Sequence, residues 1–482
     1  MSGGNLLAQG LAFVRIAILA RLLSVEDFGI AATFLITVAF LGMLSDLGID
    51  RLLIQAPKGG ERRFQGTAHV VLAARGLALA AIIFLLAEPI GGLFKVPEAI
   101  WAFRWLAVVP LVRGFMHSDY RRLEREFRFR AAVLIDVCPQ LLIALAVWPI
   151  AAWLGNYSAV LWLVIAHAMA SVIGSHLVAE RPYIWALDRM TMASILSFGW
   201  PLLINGLLMF GIFHGDRVII GSWYSMTELG VYSVAFALLQ APKMLLTKGT
   251  SAVLLPLLSR AQDEPGIFEQ RYRNGCMVLA VLSGLVAVVL AVSASPLIRL
   301  IYGEKYAAVG GFVVWLVLMQ AIRLIRVGPT LAAMALGDTQ NMMISNIWRT
   351  STLLLAFVAG MMNSDLLWIA AAGCMGEMLA LGYSLLRLSH RQHLEVGLAL
   401  RPAIVAGAWM IIGTVVAAWI GPDAAWSIVV GAAAALSLGL SFSMLVFPEV
   451  RQQLTQAARS ARSLLYSARR SRFAVDDLGS RP

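Results

Sequence analysis

Fourteen charged residues of this 482-residue chain lie inside or directly beside long apolar stretches. Four of them are acidic: Asp46, Asp136, Asp216 and Glu377. Ten are basic: Arg15, Arg75, Arg104, Arg113, Arg217, Lys243, Lys248, Arg323, Arg326 and Arg349. A charge in an apolar environment costs about 3 kcal/mol on insertion scales, so each one needs a partner, a wet cavity or a nearby polar surface. Because the acids are too few to pair with all the bases, we expect the remaining positive charge to line a polar cavity that receives an anion.

Arginine suits a phosphate-bearing anion, because its planar fork donates two parallel hydrogen bonds and stays charged. Arg104, Lys248 and Arg326 lie near the ends of apolar stretches, so we expect these side chains to reach the membrane surface instead. The other arginines are our candidate substrate-binding residues, and structural ion pairing is the alternative for each of them: Arg15, Arg75, Arg113, Arg217, Arg323 and Arg349.

The four acids are candidate ion-coupling residues, and three of them also have a simpler interpretation. Asp46 could cap a helix, and Asp216 could neutralise an arginine of a neighbouring helix, such as Arg15. For Glu377 a proton or cation site and a structural pair with an arginine are equally favoured. We expect His167 and His214 to be packing residues.

Motifs for catalysis and for metal or cofactor binding are absent from the sequence. There is no phosphate-binding G-x-x-x-x-G-K-[ST] loop, no H-E-x-x-H motif and no G-x-S-x-G motif. Cys138, Cys276 and Cys374 all fall within apolar stretches, which supports neither a disulfide framework nor a cysteine metal site. We therefore predict a protein that is not an enzyme and needs no cofactor or metal.

The composition defines the elements that position these charges. The chain is 60% hydrophobic and has a mean hydropathy of +0.80, which is typical of a polytopic helical membrane protein. The apolar runs predict an all-α fold of about 14 transmembrane helices. Their approximate bounds are 4–22, 28–49, 67–87, 99–117, 131–153, 158–177, 194–222, 229–255, 276–298, 309–335, 342–362, 366–386, 402–420 and 425–447.

The links between these spans carry very unequal numbers of basic residues. One set of links, together with the tail after Phe447, holds 24 lysines and arginines, whereas the opposite set holds Arg21, Lys95, Arg299 and Lys305. Basic links stay in the cytoplasm, so we predict that both termini are cytoplasmic. The net charge of +11 follows this topology, and we expect no nucleic-acid partner. The basic tail would contact anionic membrane lipids.

Two segments repeat along the chain. Ser24–Ile30 and Ser225–Val231 share the pattern S-x-x-[DE]-[FL]-G-[IV] at an offset of 201 residues, and each predicts a capping box. WLAVVPLVR and WLVLMQAIR, which begin at Trp105 and Trp315, match at an offset of 210 residues. The matches predict two pseudo-symmetric, parallel six-helix lobes. The expected domains are an N-lobe at 1–191, a C-lobe at 192–391, two C-terminal helices within 392–447 and a basic cytoplasmic tail at 448–482.

The sequence also resembles the polysaccharide transporters of the multidrug, oligosaccharidyl-lipid and polysaccharide exporter superfamily. Stretches that carry this resemblance include RIAILARLLSVEDFGI, LSDLGIDRLLIQ, YRRLEREFRFR, FGWPLLINGLL, DRVIIGSWYSMTELGVYSVAFALLQAP, LLPLLSRAQ and LIRLIYGEKY. The resemblance implies two six-helix lobes around a central cavity, with two further helices. It also implies that cationic cavity residues hold the pyrophosphate, a role we carry to Arg15, Arg113, Arg217 and Arg323.

The resemblance implies an alternating-access flippase in the bacterial cytoplasmic (inner) membrane. Its substrate would be an undecaprenyl-pyrophosphate-linked oligosaccharide for exopolysaccharide, capsule or O-antigen assembly, and its partners would be polymerase and chain-length proteins of the same pathway. One alternative is a multidrug exporter of the same superfamily, although a cationic drug would favour an acid-rich cavity. A membrane polysaccharide polymerase or ligase is a further alternative, but the external links are too short for a reactive loop.

Overall fold

The computed structural model of the protein describes residues 2–307, 311–420 and 433. Within those residues the regular elements are helices, and no strand occurs. The first nine α-helices are α1 (Ser2–Leu22), α2 (Val25–Leu44), α3 (Ile49–Gln55), α4 (Arg62–Leu93), α5 (Ile100–Leu106), α6 (Val108–Gly114), α7 (Asp119–Arg125), α8 (Arg130–Leu154) and α9 (Ser158–Leu177). The next nine are α10 (Arg189–Trp223), α11 (Met226–Ser259), α12 (Pro265–Tyr302), α13 (Phe312–Ile325), α14 (Val327–Ala335), α15 (Thr339–Ser351), α16 (Leu353–Met361), α17 (Leu366–Gln392) and α18 (Gly397–Ile420). Short 3-10 helices occupy Pro97–Ala99 and Glu304–Tyr306.

The all-α polytopic membrane fold predicted from the sequence is confirmed. In the described ranges, ten helical segments are long and apolar enough to cross a membrane, or eleven if the bent pair Pro97–Gly114 and Asp119–Arg125 counts as one span. Predicted spans one to thirteen each coincide with one helix or with two consecutive helices, so a total of 14 is consistent with the structure. The fourteenth predicted span at 425–447 and the tail at 448–482 fall outside the described residues, apart from the isolated helical residue 433.

Several predicted spans are divided into two consecutive helices, which hydropathy did not reveal. The fourth span divides at Ala107, the tenth at Arg326 and the eleventh at Thr352. Helices α10, α11 and α12 have 35, 34 and 38 residues, which is longer than the roughly 20 residues that cross a bilayer. These three helices are therefore long enough to extend beyond the membrane.

Both predicted helix caps form. Ser225 and Glu228 make a complete capping box at the start of α11: the Ser225 hydroxyl accepts from the Glu228 backbone N–H at 3.1 Å, and the Glu228 carboxylate accepts from the Ser225 backbone N–H at 2.9 Å. At the start of α2, the Ser24 hydroxyl accepts from the Asp27 backbone N–H at 2.9 Å. The Asp27 carboxylate accepts from the Tyr157 backbone N–H at 3.1 Å, so this second site is an N-cap and not a full capping box.

A close crossing of α2 and α11 joins the two halves of the chain that the repeat defines, residues 1–191 and 192–391. A Cβ atom at Gly29 would overlap the carbonyl oxygen of Met226, and one at Gly230 would overlap the carbonyl oxygen of Val25. Both pairs of equivalent positions are 201 residues apart, as in the capping segments. The contact is therefore reciprocal, which is what a two-fold relation between the halves produces.

Helix α10 contacts both halves. Near its start, Gly199 packs against Leu47, and Gly48 packs against Phe198. Near its end, Gly215 packs against Leu353 of the C-terminal half. Asp188 caps α10, and hydrogen bonds from the hydroxyl and the backbone N–H of Thr191 hold the pKa of this carboxyl below its ordinary value.

Candidate functional site

A cavity of about 140 Å³ lies between the two halves. Helices α1, α2 and α9 line it from the N-terminal half, and α10 and α11 line it from the C-terminal half. Most of the lining is apolar, and its polar side chains are Arg15, His214, Arg217 and Ser233. Two of the six candidate arginines therefore meet at this boundary, one from each half.

Arg15 is half-buried at this cavity and contacts a neutral partner. Its Nη1 donates to Oε1 of Gln140 at 3.3 Å. Among the described residues, no carboxylate forms an ion pair with Arg15. Asp216, which was the alternative partner, instead accepts from the Tyr232 hydroxyl at 2.8 Å. The guanidinium of Arg15 therefore keeps most of its hydrogen-bonding capacity.

Arg217 has weak partners around the same cavity. Its Nε lies 3.8 Å from Oδ1 of Asp216, which is beyond hydrogen-bonding distance. One of its terminal nitrogens donates to the carbonyl oxygen of Phe213, and its guanidinium lies 4.5 Å from the ring centre of Phe236. The aromatic face stabilises the cation without neutralising it.

Three buried polar atoms at this cavity make no hydrogen bond with any described residue. They are Nδ1 of His214, Nε of Arg217 and Oγ of Ser233. Buried polar atoms are nearly always paired in folded proteins, so an unpaired group of them calls for an explanation. A polar ligand between the halves would provide the missing partners.

Arg323 and Arg349 lie elsewhere, inside the C-terminal half, where they contact Glu377. The Nε atoms of Arg323 and Arg349 are each 2.5 Å from Oε1 of Glu377, whose side chain is 0% exposed. The Nε atom of Arg326 lies 3.4 Å from Oε2 of Glu377. The expectation that Arg326 reaches the membrane surface is therefore wrong, because its side chain turns inward to this carboxylate. Structural ion pairing was one of the two interpretations of Glu377, and the structure shows it with three arginines around the one carboxylate. Two positive charges of this cluster remain in excess.

Arg75 and Arg113 line a separate cavity of about 70 Å³ between α2, α4 and α6 of the N-terminal half. Arg75 donates to the carbonyl oxygen of Ser45 at 3.1 Å. The exposed Asp46 accepts from the backbone N–H of Gly48 at 2.9 Å within the turn between α2 and α3, and it caps neither helix, since Ser45 is the C-cap of α2 and Gly48 the N-cap of α3. Asp136 lies on the exposed face of α8. The structure therefore does not bring all the candidate residues into one site.

Sequence reasoning missed Ser233 and treated His214 as a packing residue. The repeat contains a signal that could have identified this lining. Three pairs of lining residues are each 201 residues apart, the same offset as the capping segments: Ile16 with Arg217, Ala32 with Ser233, and Ile36 with Ala237. Equivalent positions of the two halves thus face each other across the cavity.

Solved transporter structures share this architecture. An inward closed conformation of the lipid II flippase MurJ matches with a TM-score of 0.67 and 13% identity, over 93% of this chain and 99% of that one. An inward-facing multidrug resistance transporter of the MOP superfamily matches with a TM-score of 0.64 and 15% identity, over 80% of this chain and 96% of that one. At such low identity the comparison concerns the fold alone. The protein has the fold of this superfamily of membrane transporters.

The family described as "Polysaccharide biosynthesis protein" matches residues 18–310. The chain belongs to this family, and the resemblance found in its sequence is confirmed.

Curated relatives include the succinoglycan biosynthesis transport protein ExoT of Rhizobium meliloti (strain 1021), 27% identical over 62% of this chain. The lipopolysaccharide biosynthesis protein WzxC of Escherichia coli (strain K12) is 21% identical, also over 62% of this chain. The match spans 60% and 61% of the length of these two relatives.

Proposed function

We propose that this protein is an alternating-access flippase for undecaprenyl-pyrophosphate-linked oligosaccharides. The pyrophosphate binds between the halves near the middle of the membrane, the sugars occupy the wet cavity, and the prenyl chain stays in lipid. Rocking of the halves then exposes the sugar to the other side. The product is a repeat unit for exopolysaccharide, capsule or O-antigen assembly.

The main support is the cationic cavity between the halves. Arg15 and Arg217 approach it from opposite sides, and Arg15 has no carboxylate partner among the described residues. The unpaired atoms of His214 and Ser233 add further polar groups to the same space. A pyrophosphate would offer acceptors to both guanidiniums, and its charge would offset theirs.

The present volume of the cavity bears on the transport cycle. About 140 Å³ is less than the roughly 300–1,000 Å³ of sites that hold drug-sized ligands. A lipid-linked sugar therefore enters only after the halves move apart. This requirement fits alternating access, in which the same site faces each side in turn.

We assign different roles to the remaining candidates. Arg323 and Arg349 form ion pairs with Glu377. We therefore propose that their main role is structural, and that they contact substrate only if these ion pairs rearrange. Arg75 and Arg113 remain proposed anion ligands within the N-terminal half. Coupling to a proton or sodium gradient through Asp46, Asp136, Asp216 or Glu377 also remains a proposal.

Export of cationic drugs is the rival function. Asp216 adjoins the cavity-lining Arg217, but the Tyr232 hydroxyl and the Arg217 backbone N–H already donate to its carboxylate. Arg15 and Arg217 would repel a cation at this place. We therefore favour the anionic lipid-linked substrate.

The proposed setting is the bacterial inner membrane, with both termini in the cytoplasm. Residues 1–191 and 192–391 form the two moving lobes, residues 392–447 hold the two additional helices, and 448–482 is the basic tail. Polymerase and chain-length proteins of the same pathway would receive the exported unit, and membrane lipids would surround the transporter.

Export in cells with altered Arg15 tests the proposal. We expect Arg15→Ala to abolish export of surface polysaccharide while the protein still accumulates in the membrane, and Arg15→Lys to restore only part of it, because lysine keeps the charge but loses the fork. The measurements are surface polysaccharide and membrane abundance by immunoblot. Arg104→Ala is the matched control, since Arg104 forms an exposed pair with Glu88. Normal export by a well-expressed Arg15→Ala protein would refute the assigned role.

A further inference from the structure

Two lysines occupy equivalent places in the two halves, each just after the third span of its half. Lys95 and Lys305 are 210 residues apart, as are Trp105 and Trp315 in the second internal match. Each lysine precedes its matched tryptophan by ten residues. Both belong to the small set of basic residues that the charge distribution assigns to the outer face.

Each lysine reaches across to the other half. Lys305 donates through Nζ to the carbonyl oxygen of Arg21 at 2.9 Å and also to that of Leu23, at the end of α1. Lys95 approaches the carbonyl oxygen of Trp223, the last residue of α10, at 3.5 Å. Helices α1 and α10 are the first helices of their halves, so the two contacts are equivalent and reciprocal.

The targets of these lysines are helix carboxyl ends. The last carbonyls of a helix have no donor within the helix, and the helix dipole places partial negative charge there. An ammonium group at this point makes a favourable contact of modest strength. Such a contact can break and re-form repeatedly, as a moving boundary requires.

Other contacts between the halves surround the two lysines. Arg21 donates through Nε to the carbonyl oxygen of Ile301 at 2.8 Å. The rings of Phe28 and Tyr306 meet edge to face with 6.2 Å between their centres. The crossing at Gly29 and Gly230 begins only a few residues away along the chain. The two halves are therefore closed against each other at this end of the molecule.

We propose that Lys95 and Lys305 form a paired outer latch that holds the external side shut and is released once in each transport cycle. This inference rests on the proposed function, because only an alternating-access cycle requires the outer ends to separate. The two contacts occupy equivalent positions and act in parallel, so loss of one weakens closure and loss of both weakens it further. Lys305 has two acceptors and is held more closely than Lys95, whose one acceptor lies at 3.5 Å.

Access to the cavity from outside measures the state of the latch. A Ser233→Cys reporter, in a chain whose Cys138, Cys276 and Cys374 are replaced by serine or alanine, places a single thiol in the cavity. The probe is a membrane-impermeant maleimide added to right-side-out membrane vesicles. The labelling rate then follows the population that is open to the outside.

We expect Lys95→Met and Lys305→Met each to raise the labelling rate about two- to fivefold, the range given by the usual strength of a charge at a helix end. The double variant should label faster than either single variant. Lys58→Met is the matched control, because Lys58 is an exposed lysine of a link on the opposite side, and its labelling rate should not change. Unchanged labelling in a well-expressed double variant would overturn the latch. Faster labelling only from the cytoplasmic side would overturn its outer location.

A cross-link provides a test that does not depend on the lysine variants being stable. A reducible bis-methanethiosulfonate cross-linker, applied to a Phe28→Cys, Tyr306→Cys protein in the cysteine-free chain, should join the halves at the latch, because the ring centres of these two residues lie 6.2 Å apart. We expect export to stop on cross-linking and to resume when the linker is cleaved by reduction. Continued export by fully cross-linked protein would overturn the need for release. Because vesicle labelling uses no substrate, a latch that responds as expected, in a protein whose removal from the cell leaves surface polysaccharide unchanged, would locate the failure in the proposed function alone.

Discussion

Glu377 gives the sharpest prediction about stability, because its carboxylate is fully buried among three arginines. We expect Glu377→Gln to leave these guanidiniums without a counter-charge inside the C-terminal half. Removing one member of a buried ion pair costs about 3–5 kcal/mol, since the remaining charge loses its compensation. A single acid here serves three bases, so we expect a loss of free energy of unfolding in the upper part of that range.

A second substitution separates charge imbalance from loss of packing. Arg349→Met in the Glu377→Gln background removes one uncompensated guanidinium, and it should therefore recover part of the lost stability. Arg349→Met alone should destabilise less than Glu377→Gln, because Arg323 and Arg326 still contact the carboxylate. The combined loss should then be smaller than the sum of the two single losses, as expected for residues in one network.

The assay is membrane abundance by immunoblot, together with the thermal midpoint of the detergent-solubilised protein. A loss of only 1–2 kcal/mol changes cellular abundance several-fold, so Glu377→Gln should be strongly depleted. Glu88→Gln is the matched control: Glu88 pairs with Arg104 at 2.6 Å, but its side chain is 68% exposed. Exposed pairs contribute about 0–1 kcal/mol, so this variant should accumulate normally.

One result would refute this reasoning. If Glu377→Gln accumulates to the wild-type level with an unchanged thermal midpoint, the cluster does not depend on the negative charge. Should that stable variant also lose the response of export to a proton or sodium gradient, Glu377 would be an ion-coupling residue instead of a structural one.

Two further predictions concern topology and helix capping. An alkaline phosphatase fused after Phe447 should be inactive and one inserted within 154–157 should be active, because basic links stay in the cytoplasm; an active phosphatase at the tail would reverse the orientation. Ser225→Ala should lower the free energy of unfolding by about 0.5–2 kcal/mol, because the Glu228 backbone N–H loses its acceptor, and the thermal midpoint would measure this loss. Ser222→Ala is its control, since the Ser222 hydroxyl only donates to a carbonyl within α10, and an equal loss in both variants would contradict the capping argument.

The sequence alone determined the fold class and most of the helices of this protein. Helices occur at all thirteen of the predicted spans that fall within the described residues, because a helix that crosses a bilayer needs about 20 apolar residues, a local property that can be read along the chain. The caps at Ser24 and Ser225 were found for the same reason, since a cap depends on residues three positions apart. The reciprocal contact of Gly29 and Gly230 supports the repeat, which also came from short local patterns.

Only the tertiary structure decided which charges meet. Arg15 and Arg323 both lie within apolar helices and have the same side chain, yet one faces the cavity between the halves and the other contacts Glu377 at 2.5 Å. The difference depends on how each helix is rotated about its axis and on which neighbours it crosses. Packing between helices that are distant in sequence determines the rotation of each helix and its neighbours, as at the crossing of α2 and α11. Hydropathy along the chain does not predict this packing.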